Sequence, residues 1–349
     1  RDYKVTGVQT CALPIYKVHS EKNLLAAFDQ VAAKDGAAGV DHVTVKEFEE
    51  RLPERLKAIE AEIRHRSYKP QSIRRVNIPK PGTNESRPLG IPTVRDRVVQ
   101  ASILNVIEPI FERDFAEQSY GFRPGRGCKD ALRRVDTLLK AGYTHVVDAD
   151  LKGYFDTIPH NHLMDRLKDK IADGPLLALI EQFLKASIMD GMEEWTPVKG
   201  APQGAVLSPL LSNIYLNPLD HLMAEKGFEM VRYADDFVIL CRSAEAAESA
   251  LEMVRDWVEV NELVLHPTKT KIIDAKAEGF DFLGYHFHQD GNKRPREKSL
   301  RKFKDTIREK TRRNNGMSME MIIANVNRTL RGWYAYFKHS KRWIFQWLV

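Results

Sequence analysis

The stretch Val231-Arg-Tyr-Ala-Asp-Asp-Phe-Val-Ile-Leu240 constrains this chain more than any other. Apolar residues flank two adjacent acids, Asp235 and Asp236, placed where two short strands meet in a tight turn. Asp is common in turns because it tolerates left-handed backbone and caps its own neighbours. Two carboxylates side by side at a hairpin tip also repel each other, and a fold keeps them there most readily around a cation. A second acid has the same setting about 85 residues upstream, where Val146-Val147 leads through Asp148 to Asp150, followed by a glycine and two aromatics. Acids at two strand ends supply the oxygen ligands that two Mg²⁺ ions need for in-line phosphoryl transfer.

The 349 residues suffice for a large core and two or three subdomains. No apolar run reaches the roughly 18 residues of a membrane span, so no membrane partner is expected. The net charge of +6 fits a polyanionic partner. Cys11, Cys128 and Cys241 lack metal-ligand spacing and point to a reducing, cytoplasmic compartment.

Residues 1–19 read as a leader foreign to the domain: the first fifteen have neither helical periodicity nor a signal-peptide layout. The apolar stop at Trp343–Val349 reads as a helix cut in mid-face, hence as a fragment lacking its complete C-terminal region. Between them, Thr44-Val-Lys-Glu47 is a capping box before a periodic helix that Pro53 should kink or split. A basic hairpin follows over residues 71–92, bringing Arg74, Arg75, Lys80 and Arg87 together; such a hairpin is also what a solvated edge strand looks like. Thr93 should start a helix interrupted by Pro109.

The loop Gln118–Gly127 sets three glycines and two arginines around two aromatics, which suits close approach of a sugar-phosphate chain with Arg123 and Arg126 as phosphate contacts. Leu151 can offer a backbone carbonyl to a metal held by Asp150, while Asp148 and Asp156 read as structural. Gln203, in Pro202-Gln-Gly204, presents a neutral hydrogen-bonding group to nucleotide or template. Lys269 can donate a proton or counter-charge to a leaving pyrophosphate. Residues 291–313 carry eleven Lys/Arg against three Asp/Glu, a local +8. Phe303 and Ile307 can anchor one face there while Lys298, Arg301, Lys302, Arg308, Arg312 and Arg313 meet phosphate.

Taken in order, these motifs resemble the group II intron-encoded reverse transcriptase/maturase family of bacteria, over about residues 20–349. The resemblance rests on Tyr233-Ala-Asp-Asp236, Arg87-Pro-Leu-Gly-Ile-Pro92, Ser119-Tyr-Gly-Phe-Arg-Pro-Gly-Arg126 and Pro202-Gln-Gly204 with Leu207-Ser-Pro-Leu-Leu-Ser-Asn213. It implies an α+β right-hand polymerase, with fingers and an antiparallel palm sheet over 20–288 and a helical thumb opening a maturase region over 289–349. The catalytic, metal-binding set would be Asp150, Asp235 and Asp236, holding two Mg²⁺ ions for which Mn²⁺ can substitute. Lys80 and Arg87 would contact the triphosphate, Phe155 would exclude the wrong 2′ group, and Phe282-Leu283-Gly284-Tyr285 would brace the primer end. The partners implied are an RNA template (structured group II intron RNA), a DNA or RNA primer, and dNTPs. Two alternatives carry the same residues: a maturase that binds RNA without polymerising, and an intron-derived reverse transcriptase recruited to host defence or a CRISPR locus.

Overall fold

A computed structural model describes residues 14–79, 86–288, 292–314, 316–340 and 343–346. Lys80, Cys11 and most of the leader fall outside these residues. The chain begins with helices α1 (Pro14–Val18), α2 (Glu21–Ala32), α3 (Val45–Glu49) and α4 (Leu52–Arg64), strands β1 (Ile73–Pro79) and β2 (Ser86–Ile91), and α5 (Val94–Glu112). Then come α6 (Cys128–Lys140), β3 (His145–Asp150), α7 (Tyr154–Thr157), α8 (His160–Lys168), α9 (Gly174–Leu184), β4 (Ile188–Asp190) and β5 (Glu193–Trp195). The long α10 (Ser208–Glu225) precedes the hairpin β6 (Glu229–Tyr233) and β7 (Asp236–Cys241), then α11 (Ala244–Val260) and β8 (Lys271–Asp274). Last come β9 (Phe280–Phe282), β10 (Tyr285–Phe287), β11 (Lys293–Pro295), α12 (Glu297–Lys310), α13 (Met319–Phe337) and α14 (Trp343–Gln346). The chain divides into two compact units, the first formed by residues up to Glu117 with Leu151–His221 and Trp257–Val264, the second by the remainder.

In the first unit, local chemistry sets the helix boundaries. Thr44 and Glu47 close the capping box ahead of α3, and Pro53 lies in the first turn of α4, so the expected periodic helix is split there. The Thr93 hydroxyl accepts the Asp96 amide at 3.1 Å and starts α5. Contrary to expectation, α5 runs through Pro109 to Glu112. A proline only one turn from the end costs a single intrahelical hydrogen bond. Helix α1 falls within the stretch read as a leader, yet it buries Ile15 and Val18 and donates the Ile15 amide to the Asp173 carboxylate at 2.8 Å.

The four-stranded sheet of this unit has the order β2-β1-β4-β5. The basic hairpin pairs as its sequence suggests, Ile78 opposite Arg87 and Arg74 opposite Ile91. The parallel pairing of β1 with β4 was not legible in the sequence.

The second unit holds a fully antiparallel sheet of order β6-β7-β3-β8, the organisation expected of the palm. Side chains alternate across a strand, so one face carries Val146, Val231, Val238, Leu240 and Ile273, all buried with Leu132 and Val135 of α6. Along β3 and β7 that same face ends in acids. A second sheet, β11-β10-β9, contributes Phe280, Phe282, Tyr285 and Phe287 to the same core. Phe303 of α12 stacks on Trp333 of α13 at 4.4 Å between ring centres. Phe303 thus anchors its helix as its spacing suggested.

Candidate active site and nucleic-acid interface

The strand register brings the acids together. Asp150 lies directly opposite Asp236 across β3 and β7, and Asp148 lies opposite Lys271 across β3 and β8. Like charges in direct cross-strand register are destabilising. Asp235 adds a third carboxylate from the two-residue turn Ala234-Asp235 that joins β6 to β7.

Ala234 has φ of 60°, in the left-handed region where a Cβ is unfavourable, so this turn is strained. The surroundings hold it in place. Arg232, fully buried, donates to the Ala234 carbonyl at 2.8 Å and to the Ser119 hydroxyl at 2.9 Å. Gly121 passes so close that a Cβ there would sit 2.3 Å from the Ala234 nitrogen. The glycine-rich loop therefore meets the Ala234-Asp235 turn with its own backbone.

The electrostatics record the crowding. The Asp236 carboxyl is pushed up to about 7, by desolvation first and then by the charges of Asp148, Asp235 and Asp150, with Arg296 acting in the opposite sense. Solvent reaches Asp236, but protein fills most of the volume around it. Asp148 is pushed up to about 6, again chiefly by burial and with Lys271 opposing. Asp148 therefore shares the acidic face with Asp150 and Asp236. Its two-residue spacing from Asp150 was the sequence signal for this. Arg296 carried no signal beyond its basic surroundings.

Hard carboxylate oxygens that repel one another are the donor chemistry a divalent cation requires. The fit is in chemistry, not in a finished cage: among the described residues no three His, Cys, Asp or Glu side chains converge on one point. The Asp150 carboxylate meets the Lys269 ammonium at 2.7 Å. Lys269 is exposed and Asp150 partly so; exposed pairs contribute about 0–1 kcal/mol, so Lys269 is a readily displaced partner. The His266 amide holds the Asp150 carbonyl at 2.7 Å and fixes the strand end.

The stretch Phe282–Tyr285 forms a second tight turn, with Leu283 at φ 46° and Gly284 at φ 83° between β9 and β10. The Tyr336 hydroxyl donates to the Leu283 carbonyl at 2.7 Å, and the Arg296 amide to the Gly284 carbonyl at 2.9 Å. Phe282 and Tyr285 are buried. On α12, Lys298, Arg301, Lys302 and Arg308 are exposed, as are Arg312 and Arg313 beyond it. Arg123, by contrast, is only 7% exposed and donates to the Ser119 carbonyl at 2.9 Å. Arg126 lies over the Tyr120 ring, 5.6 Å from its centre.

In the first unit a cavity of about 300 Å³ is bounded by Arg75, Asp156, Trp195, Lys199 and Gln203, among others. Its floor is a close crossing of β2 and the Pro-Gln-Gly loop. The Gly90 amide donates to the Gln203 carbonyl at 2.6 Å, and a Cβ on Gly204 would fall 2.4 Å from the Gly90 carbonyl. Gly204, at φ 104°, is thus required twice over. The Arg75 guanidinium lies 5.5 Å from the Trp195 ring centre. At the rim, desolvation raises the Asp156 carboxyl while Arg75 lowers it. Arg74 is turned to the Ala38 carbonyl at 2.6 Å, and Arg87 is exposed on β2. Phe155 is half-buried against Tyr154, and the Ala201 amide binds its carbonyl at 2.7 Å. Leu151 is buried.

Comparison with known proteins turns this geometry into a family assignment. The family described as reverse transcriptase (RNA-dependent DNA polymerase) matches residues 78–287, and the group II intron maturase-specific domain matches residues 300–347. Protein YkfC of Escherichia coli is 35% identical over 327 residues, covering 82% of this chain and 84% of that protein. The chain belongs to the group II intron-encoded reverse transcriptase/maturase family. The group II intron-encoded protein LtrA of Lactococcus lactis is 36% identical over 201 residues, 57% of this chain but 33% of LtrA. A telomerase structure from Candida albicans, with TWJ fragment of telomeric RNA, superposes with a TM-score of 0.55 at 13% identity, covering 79% of this chain and 56% of that one. At that identity the likeness is one of fold alone. Among the described residues no helix is long and apolar enough to cross a membrane.

Proposed function

We propose that the chain is an RNA-directed DNA polymerase that extends a primer 3′-OH by nucleotidyl transfer in the bacterial cytoplasm. The observation that carries this reading is the register of β3 and β7, which sets Asp150 opposite Asp236 beside the Asp235 turn. Asp150, Asp235 and Asp236, with the Leu151 backbone carbonyl, would hold two divalent cations. When bound, Mg²⁺ or Mn²⁺ supplies the positive charge that acidifies a primer 3′-OH and offsets charge on leaving pyrophosphate.

The remaining roles fall to the chain's own groups. Lys80 and Arg87 grip the triphosphate, and Gln203 offers a neutral hydrogen-bonding side chain to nucleotide or template. The Phe155 ring selects the sugar by bulk at its 2′ position. Lys269 moves from Asp150 to the leaving group, as counter-charge or proton donor. The turn Phe282–Tyr285, braced by Tyr336 and Arg296, steadies the primer end. The exposed cations from Lys298 to Arg313 hold the backbone of a structured RNA. The maturase-specific match over residues 300–347 supports assistance to intron RNA as a second role of that same surface.

Primer extension on an RNA template with dNTPs and Mg²⁺ tests the reading, comparing the wild type with Asp235→Asn. Extension by the wild type alone is the expected result. Equal binding of structured RNA by both proteins with extension by neither would leave only the maturase role.

A further inference from the structure

A second cavity, about 200 Å³, lies in the second unit among residues that take no part in the acid cluster. Its walls include Lys129 and Arg133 of α6, Lys293 of β11, Tyr336 of α13 and His339 just beyond that helix. Asp136 is the carboxylate in the wall, and it is already taken, by Lys140 at 2.8 Å and Lys293 at 3.3 Å. Burial alone would raise the Asp136 carboxyl, but these two lysines hold it below the ordinary range, so it stays charged. The Lys293–Asp136 pair is itself well shielded, at 16% and 20% exposure, which fixes the Lys293 ammonium in the wall. Arg133 pairs with Asp130 at 3.0 Å. Lys129 and Lys338 have no ion-pair partner among the described residues. Three cations, Lys129, Arg133 and Lys293, thus line the pocket against one carboxylate, Asp136, which leaves an excess of positive charge.

His339 reports the same imbalance. Desolvation first, and then Lys338, Lys293, Lys129 and Arg133, hold its imidazole below the usual histidine range. The two tyrosines contribute walls without competing for a ligand. The Tyr285 hydroxyl donates to the Tyr336 carbonyl at 2.5 Å and the Tyr336 hydroxyl to the Leu283 carbonyl at 2.7 Å.

We infer that this pocket receives a phosphodiester of a structured RNA, at a contact that shares no residue with the acid cluster, although its Tyr285 and Tyr336 walls also belong to the turn assigned to the primer end. The size favours one phosphate of a larger polymer over a whole small molecule. The cavity is smaller than the roughly 300–1,000 Å³ that enclose a drug-sized ligand, while Lys129 and His339 in its wall are exposed to a chain running across its mouth. Phosphate contacts of this kind position an RNA rather than read its sequence. The identity of the anion rests on the RNA-dependent reading above, whereas the pocket and its charge do not.

The test uses the full chain and a fluorescently labelled, structured RNA without primer, with binding followed by anisotropy over about 50–200 mM salt. Lys129→Glu/His339→Glu changes two exposed side chains and leaves the Lys293–Asp136 pair intact. Loss of about tenfold in affinity at low salt, with a salt slope shallower by about one to two, is expected. Unchanged affinity and slope, in a variant whose melting temperature is also unchanged, would overturn the proposal. Amine labelling read by mass spectrometry separates the sources of phosphate. RNA should protect Lys129 and Lys293, while inorganic phosphate at equal phosphate concentration should not. Equal protection by inorganic phosphate would assign the pocket to a free anion and also overturn the inference. Asp235→Asn should bind this RNA as the wild type does, and failure of the wild type itself to extend a primer while RNA binding persists counts against polymerisation alone.

Discussion

Two arginine-rich parts of the second unit look alike in sequence and do opposite work. In the loop after Gln118, Arg123 and Arg126 converge with Arg232 on Ser119: Arg123 reaches its carbonyl at 2.9 Å, Arg126 the same carbonyl at 3.4 Å, and Arg232 its hydroxyl at 2.9 Å. The backbone joins in, since the Tyr120 amide donates to the Arg232 carbonyl and the Arg232 amide to the Gln118 carbonyl, both at 2.9 Å. From α12 to Arg313 the cations other than Lys310 stay in solvent, and their ion pairs are local ones such as Arg301–Glu297 and Arg308–Asp305, both 3.0 Å. Local pairs of this kind contribute little to stability. The first set holds the strained Ala234 turn, and hence Asp235 and Asp236, in place. The second remains available to a polyanion. Count and spacing of arginines cannot distinguish these uses; burial can.

Denaturant and salt should therefore separate the two sets. The largest effect is expected from Arg232→Ala. It empties a fully buried site, leaves the Ala234 carbonyl without this donor and removes a support of the Ala234-Asp235 turn. Urea unfolding should register a loss of about 3–5 kcal/mol; a loss below about 1 kcal/mol would mean that the turn is held by other means. Gly121→Ala comes next, because its Cβ meets backbone rather than a flexible side-chain end. About 1–3 kcal/mol of destabilisation is expected, together with primer extension impaired beyond what reduced folding explains. Activity equal to the wild type per folded molecule would show that the turn tolerates displacement.

The exposed set should behave in reverse. Replacing Lys302, Arg312 and Arg313 by Gln should leave stability within about 0.5 kcal/mol. The salt slope of RNA binding should become shallower by about 0.7 for each single-strand phosphate that is no longer neutralised. A large drop in melting temperature with an unchanged slope would place these cations with the buried set instead.

The same distinction explains what the sequence disclosed. The acids were legible because a hairpin and an apolar strand leave few places for a carboxylate pair, and the antiparallel register then brings Asp150 to Asp236. Local signals such as the Thr44–Glu47 box and the Thr93 cap were also legible, because capping involves residues three apart. The role of Arg232 was not, although a lone cation inside the apolar run Met230–Tyr233 was the available hint. Nor was the parallel pairing of β1 with β4, which joins residues more than a hundred positions apart. Gly204 and Gly121 read as loop glycines. Only the fold shows that each is needed for a close backbone approach, one to Gly90 and the other to Ala234.

The smallest effect expected concerns another basic group used by the fold, His160 in the first unit. It is buried, and its Nε2 meets the Gly200 carbonyl at 2.8 Å, supporting the segment that leads into Gln203. Burial, more than any other cause, lowers its pKa below the ordinary histidine value, with the Gly200 hydrogen bond opposing. The folded protein therefore prefers the neutral ring. As pH falls below about 6.5, the unfolded chain takes up the proton first, and stability declines toward the depressed folded value. The urea midpoint should accordingly drop between about pH 7.5 and pH 5.5. His160→Gln can keep a donor near Gly200 without a titrating ring, so it should flatten that part of the profile while changing stability little at pH 7.5. An equally steep profile in the variant would move the pH dependence to other groups and leave His160 a packing residue only.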